Sequence, residues 1–251
     1  VKILVTAKRV VDPDSKIEID DSNTSIELDD VDFRVNYFCE NAIEAALEMQ
    51  DEHDAEVVVC SIGDEDAIQT IRTGLAMGGD RGILVEANDG DLDGDLVART
   101  LAKLYEQEQP DIFLLGKQAI DGDSNQVGQL LAEYLDIPQA CFASKIDIIE
   151  GGKVARVERE VDGGIETIDV DLPCIITADL RLNEPRYASL PGIMKAKRKK
   201  IDEFELEDLG VDSTLKVVTR SMELPAGRQA GVMVADVDEL VNKLKSEAKV
   251  L

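Results

Sequence analysis

The run Gly116-Lys117-Gln118-Ala119-Ile120-Asp121-Gly122-Asp123-Ser124-Asn125-Gln126-Val127-Gly128 gathers the densest set of groups able to hold a ligand. It follows an apolar tetrad, Ile112-Phe113-Leu114-Leu115, that reads as a buried strand, and it leads into a helical pattern from Val127 to Leu135. A helix start offers free backbone N–H groups and the positive end of the helix dipole, a pairing that suits a phosphate. The pattern fits both a nucleotide phosphate and an ordinary polar turn with Asp or Ser caps. It is not a Walker loop, because the chain has no G-x-x-x-x-G-K-[ST], and ATP hydrolysis is unsupported.

Other groups with chemical potential read more plainly. Asp89-x-Asp91-x-Asp93-Gly94 opens like a calcium-binding loop, but its twelfth position is Thr100 rather than Glu. Asp121-x-Asp123-x-Asn125 reaches Ala132 at its twelfth place and lacks the turn glycine, so neither string is read as a calcium site. Cys39, Cys60, Cys141 and Cys174 are far apart, with no C-x-x-C, which argues against a disulfide framework or a zinc site. The sole histidine, His53, sits in Asp51-Glu52-His53-Asp54 and rules out a His-rich metal centre. No metal ligand and no catalytic residue is therefore assigned. Asn36-Tyr37-Phe38-Cys39-Glu40 precedes a helical pattern, and by spacing alone Asn36 is a cap residue with aromatic packing beside it.

The elements that must position these groups follow from periodicity. Near-continuous apolar strands at Ile3 to Ala7, Val57 to Cys60, Ile83 to Val85 and Ile112 to Leu115 alternate with helical patterns over 38–50, 65–77, 93–107 and 127–135. That alternation predicts an α/β fold with a mostly parallel sheet covered on both faces. Residues 16–28 interrupt it as an expected hairpin. After Phe142 the period changes to two, with strands at 146–149, 154–161 and 165–170 turning at Gly151-Gly152 and Gly163-Gly164. Pro173 to Ala178 gives a further buried strand, and the last stretch reads as an extended arm ending in a helix from Val237 to Leu244.

With 251 residues, 44% of them hydrophobic, the chain supports one large domain with an appendage. Its 27 basic and 53 acidic residues give a net charge of −26, which argues against general binding to nucleic acid or anionic lipid. No run approaches the length of a membrane span. The opening Val1-Lys2-Ile3-Leu4-Val5 reads as a strand rather than a signal or transit segment, so a cytoplasmic, reducing setting is expected. Charge is uneven: from Arg181 to Lys200 seven basic residues face one acidic residue, Glu184. The same stretch keeps Leu182, Tyr187, Leu190, Ile193 and Met194, while two prolines and a glycine point to irregular structure. An apolar loop beside a basic run reads either as a docking patch or as a loop folded onto its own domain.

From Leu172-Pro173 through Thr177-Ala178-Asp179-Leu180-Arg181-Leu182-Asn183-Glu184-Pro185-Arg186-Tyr187-Ala188-Ser189-Leu190-Pro191-Gly192-Ile193-Met194-Lys195-Ala196-Lys197, the sequence closely resembles the signature of the electron transfer flavoprotein β subunit. The resemblance extends through Val5 to Val10, Asn36 to Glu40, Thr70 to Gly78, Gly116 to Asp121, Val157 to Gly164 and Arg228 to Val232. It implies a Rossmann-like, adenine nucleotide-hydrolase-like α/β domain over 1–180, with helices on both sheet faces and added β-hairpins. It further implies a partner-recognition loop over 181–200 and a C-terminal arm over 201–251 that packs on an α subunit. The implied cofactors are FAD, shared with and mostly held by the α subunit, and AMP. The implied partners are that subunit, acyl-CoA and related dehydrogenases, and a membrane quinone oxidoreductase.

Carried over position by position, the resemblance places AMP contacts at Thr6, Asn36, Tyr37, Phe38, Cys39 and Ile62. It adds Gly116, Lys117, Gln118, Ala119, Ile120, Asp121, Gly122, Asp123, Ser124, Asn125, Gln126 and Val127. Tyr187, Leu190, Pro191, Ile193 and Met194 are expected, on the same resemblance, to bind the partner, with Leu190 as the anchor. Three positions depart from the family's pattern. Val127 stands where some members have a Thr, leaving only its backbone N–H for a phosphate. Tyr37 replaces a frequent Pro. Pro13 stands where some relatives have a Tyr, leaving Phe38 as the β-side neighbour of a flavin ring. Some family members bind a second FAD in place of AMP and bifurcate electrons; Asn36-x-Phe38-Cys39-Glu40 and Arg228-Gln229-Ala230-Gly231 resemble the ordinary carrier instead. A stand-alone adenine-nucleotide sensor would account for the first 140 residues but not for the signature loop or the arm.

Overall fold

Strand β1 (Lys2–Thr6) buries Ile3, Leu4 and Val5 completely and lies in the interior of the sheet. The computed structural model describes residues 1–227 and 230–251, so Arg228 and Gln229 of the family-like ending lie outside the described residues. Strands β2 (Arg9–Val11) and β3 (Phe33–Val35) form a small antiparallel pair, and α1 (Tyr37–His53) follows. The alternation continues through β4 (Glu56–Gly63), α2 (Ile68–Met77), β5 (Arg81–Glu86), α3 (Gly94–Glu108), β6 (Ile112–Gly116) and α4 (Val127–Leu135). Then come β7 (Gln139–Ile149), β8 (Val154–Val161), β9 (Gly164–Asp171), β10 (Cys174–Ala178), α5 (Leu190–Ala196), β11 (Ile201–Glu205) and α6 (Val237–Lys243).

Nine strands make one sheet in the order β11-β5-β4-β1-β6-β10-β7-β8-β9. The seven from β11 to β7 run parallel, and β8 and β9 add an antiparallel meander. Side chains alternate across each strand, which divides the core in two. Ile3, Val5, Val57, Val59 and Leu114 pack under α1 and α2 with Ile43, Leu47, Ile71 and Leu75. Leu4, Val58, Cys60, Phe113 and Leu115 pack under α3 and α4 with Leu101, Leu104 and Leu131. The α/β class and the two-sided covering thus match the sequence.

Four local expectations are corrected. Residues 16–28 form only one isolated bridge, Ile19 to Ile26, because Ile17 and Leu28 stay exposed and no ladder is buried. Strand β7 begins at Gln139, seven residues before the alternating pattern does. Its first half pairs parallel with β10 and buries Ala140 and Ala143, then shifts register near Phe142, whose φ is 65°. The proline-bearing loop contains a helix, α5. Ser189 caps it by accepting a hydrogen bond from the Gly192 N–H at 3.1 Å, and Pro191 sits in the first turn, where its missing N–H is not needed. Finally, the segment after Lys200 does not leave the domain at once. β11 pairs with β5, and Phe204, Leu206, Leu209 and Val211 pack on the α3–α4 side of the core. Only beyond them do Val217, Val218, Leu224 and Met233 stand exposed.

Candidate nucleotide site and docking helix

The chain steps outward from β1 to β4 and β5 on one side, then returns to place β6 on the other. The carboxyl ends of β1 and β6 therefore flank a switch in strand order, where open α/β sheets hold ligands. Thr6 ends β1, Ile62 lies near the end of β4, and Gly116 ends β6. Asn36 enters this crevice from the start of α1 and is 1% exposed. It makes no cap bond to α1. Its Nδ2 donates to the Gln118 carbonyl at 2.8 Å, and its Oδ1 accepts from the Ile120 N–H at 3.1 Å. The residue that spacing marks as a helix cap instead pins the loop after β6. Cys39 Sγ lies 3.4 Å from Asn36 Nδ2 and 3.8 Å from Thr6 Oγ1, closing the floor.

Gly116 is required by this close approach. A Cβ there would lie 2.7 Å from Phe38 Cβ and 2.9 Å from the Cys39 nitrogen. Phe38, in the first turn of α1, is 6% exposed and packs against the end of β6. Lys117 pairs with Asp179 at 2.6 Å, its ammonium 5.5 Å from the centroids of both Phe38 and Phe142.

The loop's acidic residues would repel a phosphate if their carboxylates faced it. Lys8 Nζ holds both Asp121 oxygens, at 2.8 and 2.7 Å, and Gln118 Nε2 donates to Asp123 Oδ1 at 2.7 Å. Asn125 Oδ1 accepts from Gln129 Nε2 at 3.1 Å. Asp123 and Asn125 adopt left-handed backbone, with φ of 47° and 44°, which both residue types tolerate. Helix α4 then begins with no side-chain cap and no acidic residue in its first turn. Among the described residues, Gln129 Oε1 is buried there without a partner. An uncapped helix start, tied-off carboxylates and an orphaned acceptor fit a nucleotide with its phosphate and hydroxyls.

Most of the expected residues converge on this edge, but Tyr37 turns away. The Arg34 guanidinium lies 3.9 Å from the centroid of the Tyr37 ring and donates to its hydroxyl at 2.8 Å. Tyr37 lines a separate hollow of about 420 Å³ with Asn41, Leu180, Asn183, Pro185 and Tyr187. Lys8, Phe142 and Asp179 join this edge without being among the expected contact residues; Lys8, two residues past β1, and Asp179, in the signature stretch, carry a signal in the sequence, and Phe142 carries none.

The signature segment leaves β10 and folds along α1. Asn41 Nδ2 donates to the Asn183 carbonyl at 2.7 Å, and Asn183 Nδ2 returns a bond to the Asn41 carbonyl at 3.1 Å. Buried Glu44 accepts from both the backbone N–H and the Nε of Arg186, each at 2.9 Å. Beyond these fastenings Tyr187 is 100% exposed, Leu190 80% and Met194 63%, with Ile193 and Pro191 also outward. The basic island is smaller in space than in sequence. Arg181 pairs with Glu160, Arg186 with Glu44 and Lys200 with Asp202, while Lys195, Lys197 and Arg198 make no ion pair among the described residues.

Of the acidic triplet 89–93, Asp89 pairs with Arg9 at 3.4 Å and Asp93 serves as a helix cap. The Asn88 side chain accepts from the Gly90 N–H at 2.9 Å, and Asp93 caps α3 by accepting from Leu96 N–H at 2.7 Å. All four cysteines are free and buried. None of the helices among the described residues is long and apolar enough to cross a membrane.

Fold and edge geometry together define an α/β domain built on a mostly parallel nine-stranded sheet, with an outward-facing helix, α5, and a C-terminal stretch that leaves apolar residues exposed. Residues 24–209 match the family model described as the electron transfer flavoprotein domain. The chain is 53% identical over 251 residues, covering all of both chains, to the electron transfer flavoprotein subunit beta of Bradyrhizobium diazoefficiens. It is 50% identical over the full length of both chains to the mitochondrial subunit beta of Arabidopsis thaliana. Against the human subunit beta it is 49% identical over 253 aligned residues, covering 99% of this chain and 98% of the relative. The chain belongs to the electron transfer flavoprotein family, among its β subunits.

Proposed function

We propose that this chain pairs with an α subunit to form a heterodimeric electron carrier with one FAD, held mostly by the α chain, and one structural AMP in the β chain. The carrier takes electrons from acyl-CoA and related dehydrogenases and delivers them to a membrane quinone oxidoreductase. FAD, when bound, supplies the capacity to take up and release electrons; this chain turns over no substrate of its own. The observation that carries the nucleotide assignment is the Asn36 clamp on Gln118 and Ile120, which sets the loop before the uncapped start of α4. Thr6, Phe38, Cys39, Ile62 and the segment Gly116 to Val127 would line that site, with the backbone N–H groups at Val127 and Gly128 toward the phosphate.

Residues 1–180 form the nucleotide-binding part in this reading, 181–200 the docking part and 201–251 the arm. Strand Ile201–Glu205 is lent back to the sheet, and the exposed stretch from Val217 onward is what covers the α subunit. The four free thiols accord with a reducing compartment, and we place the carrier in the cytoplasm. Heat release of nucleotide from the chain purified alone tests the assignment. AMP without stoichiometric FAD is expected, and equimolar FAD in the absence of an α subunit would overturn it.

A further inference from the structure

Helix α5 is held against α2 by an exchange of cations. Arg72, on α2, donates from Nη1 to the carbonyls of Ala196 and Lys199 at 2.6 and 2.8 Å, at the end of α5. Lys199, just past α5, sends its ammonium back to the carbonyls of Leu75, Gly78 and Gly79, at 3.2, 3.1 and 2.5 Å, at the end of α2. Arg72 of α2 thus closes carbonyls at and just past the end of α5, and Lys199, from the turn after α5, closes those at and just past the end of α2, near the negative ends of both dipoles. Between these two fastenings the helices touch backbone to backbone: a Cβ on Gly192 would lie 2.5 Å from the Ala76 carbonyl oxygen. Ala196, one turn on, is buried on the same face. The opposite face carries Leu190 and Met194 into solvent. Lys199 makes no ion pair within 4 Å among the described residues, and its ammonium donates to the carbonyls of Leu75, Gly78 and Gly79.

We infer that Arg72 and Lys199 are positioning residues for partner docking: their mutual capping, with Gly192 as the contact point, fixes α5 so that Leu190 is presented pre-oriented. A loop with two prolines could dock by ordering on contact, but a helix already seated on the sheet domain loses little freedom when it binds. Arg72 lies far from the signature segment in sequence and is joined to it only by this geometry.

The inference rests on the docking reading proposed above, and the test separates the two. Heterodimers carrying Leu190→Ala, Lys199→Met, and both substitutions are compared in flavin reduction by an acyl-CoA dehydrogenase that reduces the unaltered heterodimer. Lys199→Met is expected to raise KM for the carrier about 5-fold, with kcat within twofold and FAD content unchanged, and Lys199→Arg is expected to restore most of the loss. In the double variant Leu190→Ala should cost clearly less than it costs alone, since a misplaced anchor has less to lose. Fully additive effects, or an unchanged KM with Lys199→Met beside a raised KM with Leu190→Ala, overturn the inference and leave docking intact. No effect of Leu190→Ala overturns both. Should Lys199→Met fail to fold, Gly192→Ala displaces α5 while keeping both cations, and an unchanged KM there also overturns the inference.

Discussion

Truncating Leu190 to alanine removes three carbons from a side chain that is 80% exposed in the free chain. A fully buried leucine contributes about 1.5–3 kcal/mol relative to an exposed one. With only about a fifth of it covered, the folded chain should lose no more than about 0.5 kcal/mol, or roughly 1–2 °C in melting temperature for a chain of this size. If a dehydrogenase pocket encloses the side chain, the same truncation removes about 1.5–2.5 kcal/mol of docking free energy, roughly a 10- to 70-fold rise in apparent Kd. The assay pairs thermal melting of the heterodimer with initial rates of dehydrogenase-dependent flavin reduction across carrier concentration. A large fall in melting temperature with unchanged transfer by the folded fraction would show that Leu190 is packed, and the anchor role would be refuted.

Three further outcomes follow from the geometry. Gly116→Ala should destabilise the chain by about 1–3 kcal/mol and lower its retained nucleotide, because the new Cβ meets Phe38 and Cys39 at under 3 Å; denaturant titration and heat release check both, and full AMP retention would contradict the site. Burial pushes the Cys174 thiol up to about 12 and the Cys60 thiol higher still, so iodoacetamide at pH 8 should label neither in the folded chain and all four cysteines after unfolding; stoichiometric labelling of the native protein would contradict this. Burial raises the Glu108 carboxyl, but hydrogen bonds from Arg81 and Lys2 outweigh it and hold the group below its ordinary range. A depressed folded pKa adds stability above the unfolded value and loses it as pH falls through the folded one, so Glu108→Gln should flatten the acid side of the stability profile, and an unchanged profile would contradict the pairing.

The parallel sheet and its four covering helices were legible because buried strands and amphipathic helices impose two distinct periods on the sequence. The loop from Gly116 to Val127 was legible for the same reason, since it joins one such strand to one such helix. The role of Asn36 was not, because a residue before a helix has the same type and spacing whether it caps the helix or reaches across to residues 118–120. Helix α5 was masked by prolines that interrupt a helix interior but are harmless in its first turn. Strand Ile201–Glu205 was hidden by its sequence, Ile-Asp-Glu-Phe-Glu, whose acidic residues are acceptable at the edge of the sheet but would not be in its centre.

As proposed, this chain supplies the nucleotide-bearing half of a one-flavin carrier. The most direct test is the flavin and nucleotide stoichiometry of the complex purified after co-expression with an α subunit. One FAD and one AMP per heterodimer is the predicted result. Two FAD and no AMP would contradict it by placing a second flavin in the crevice between β1 and β6.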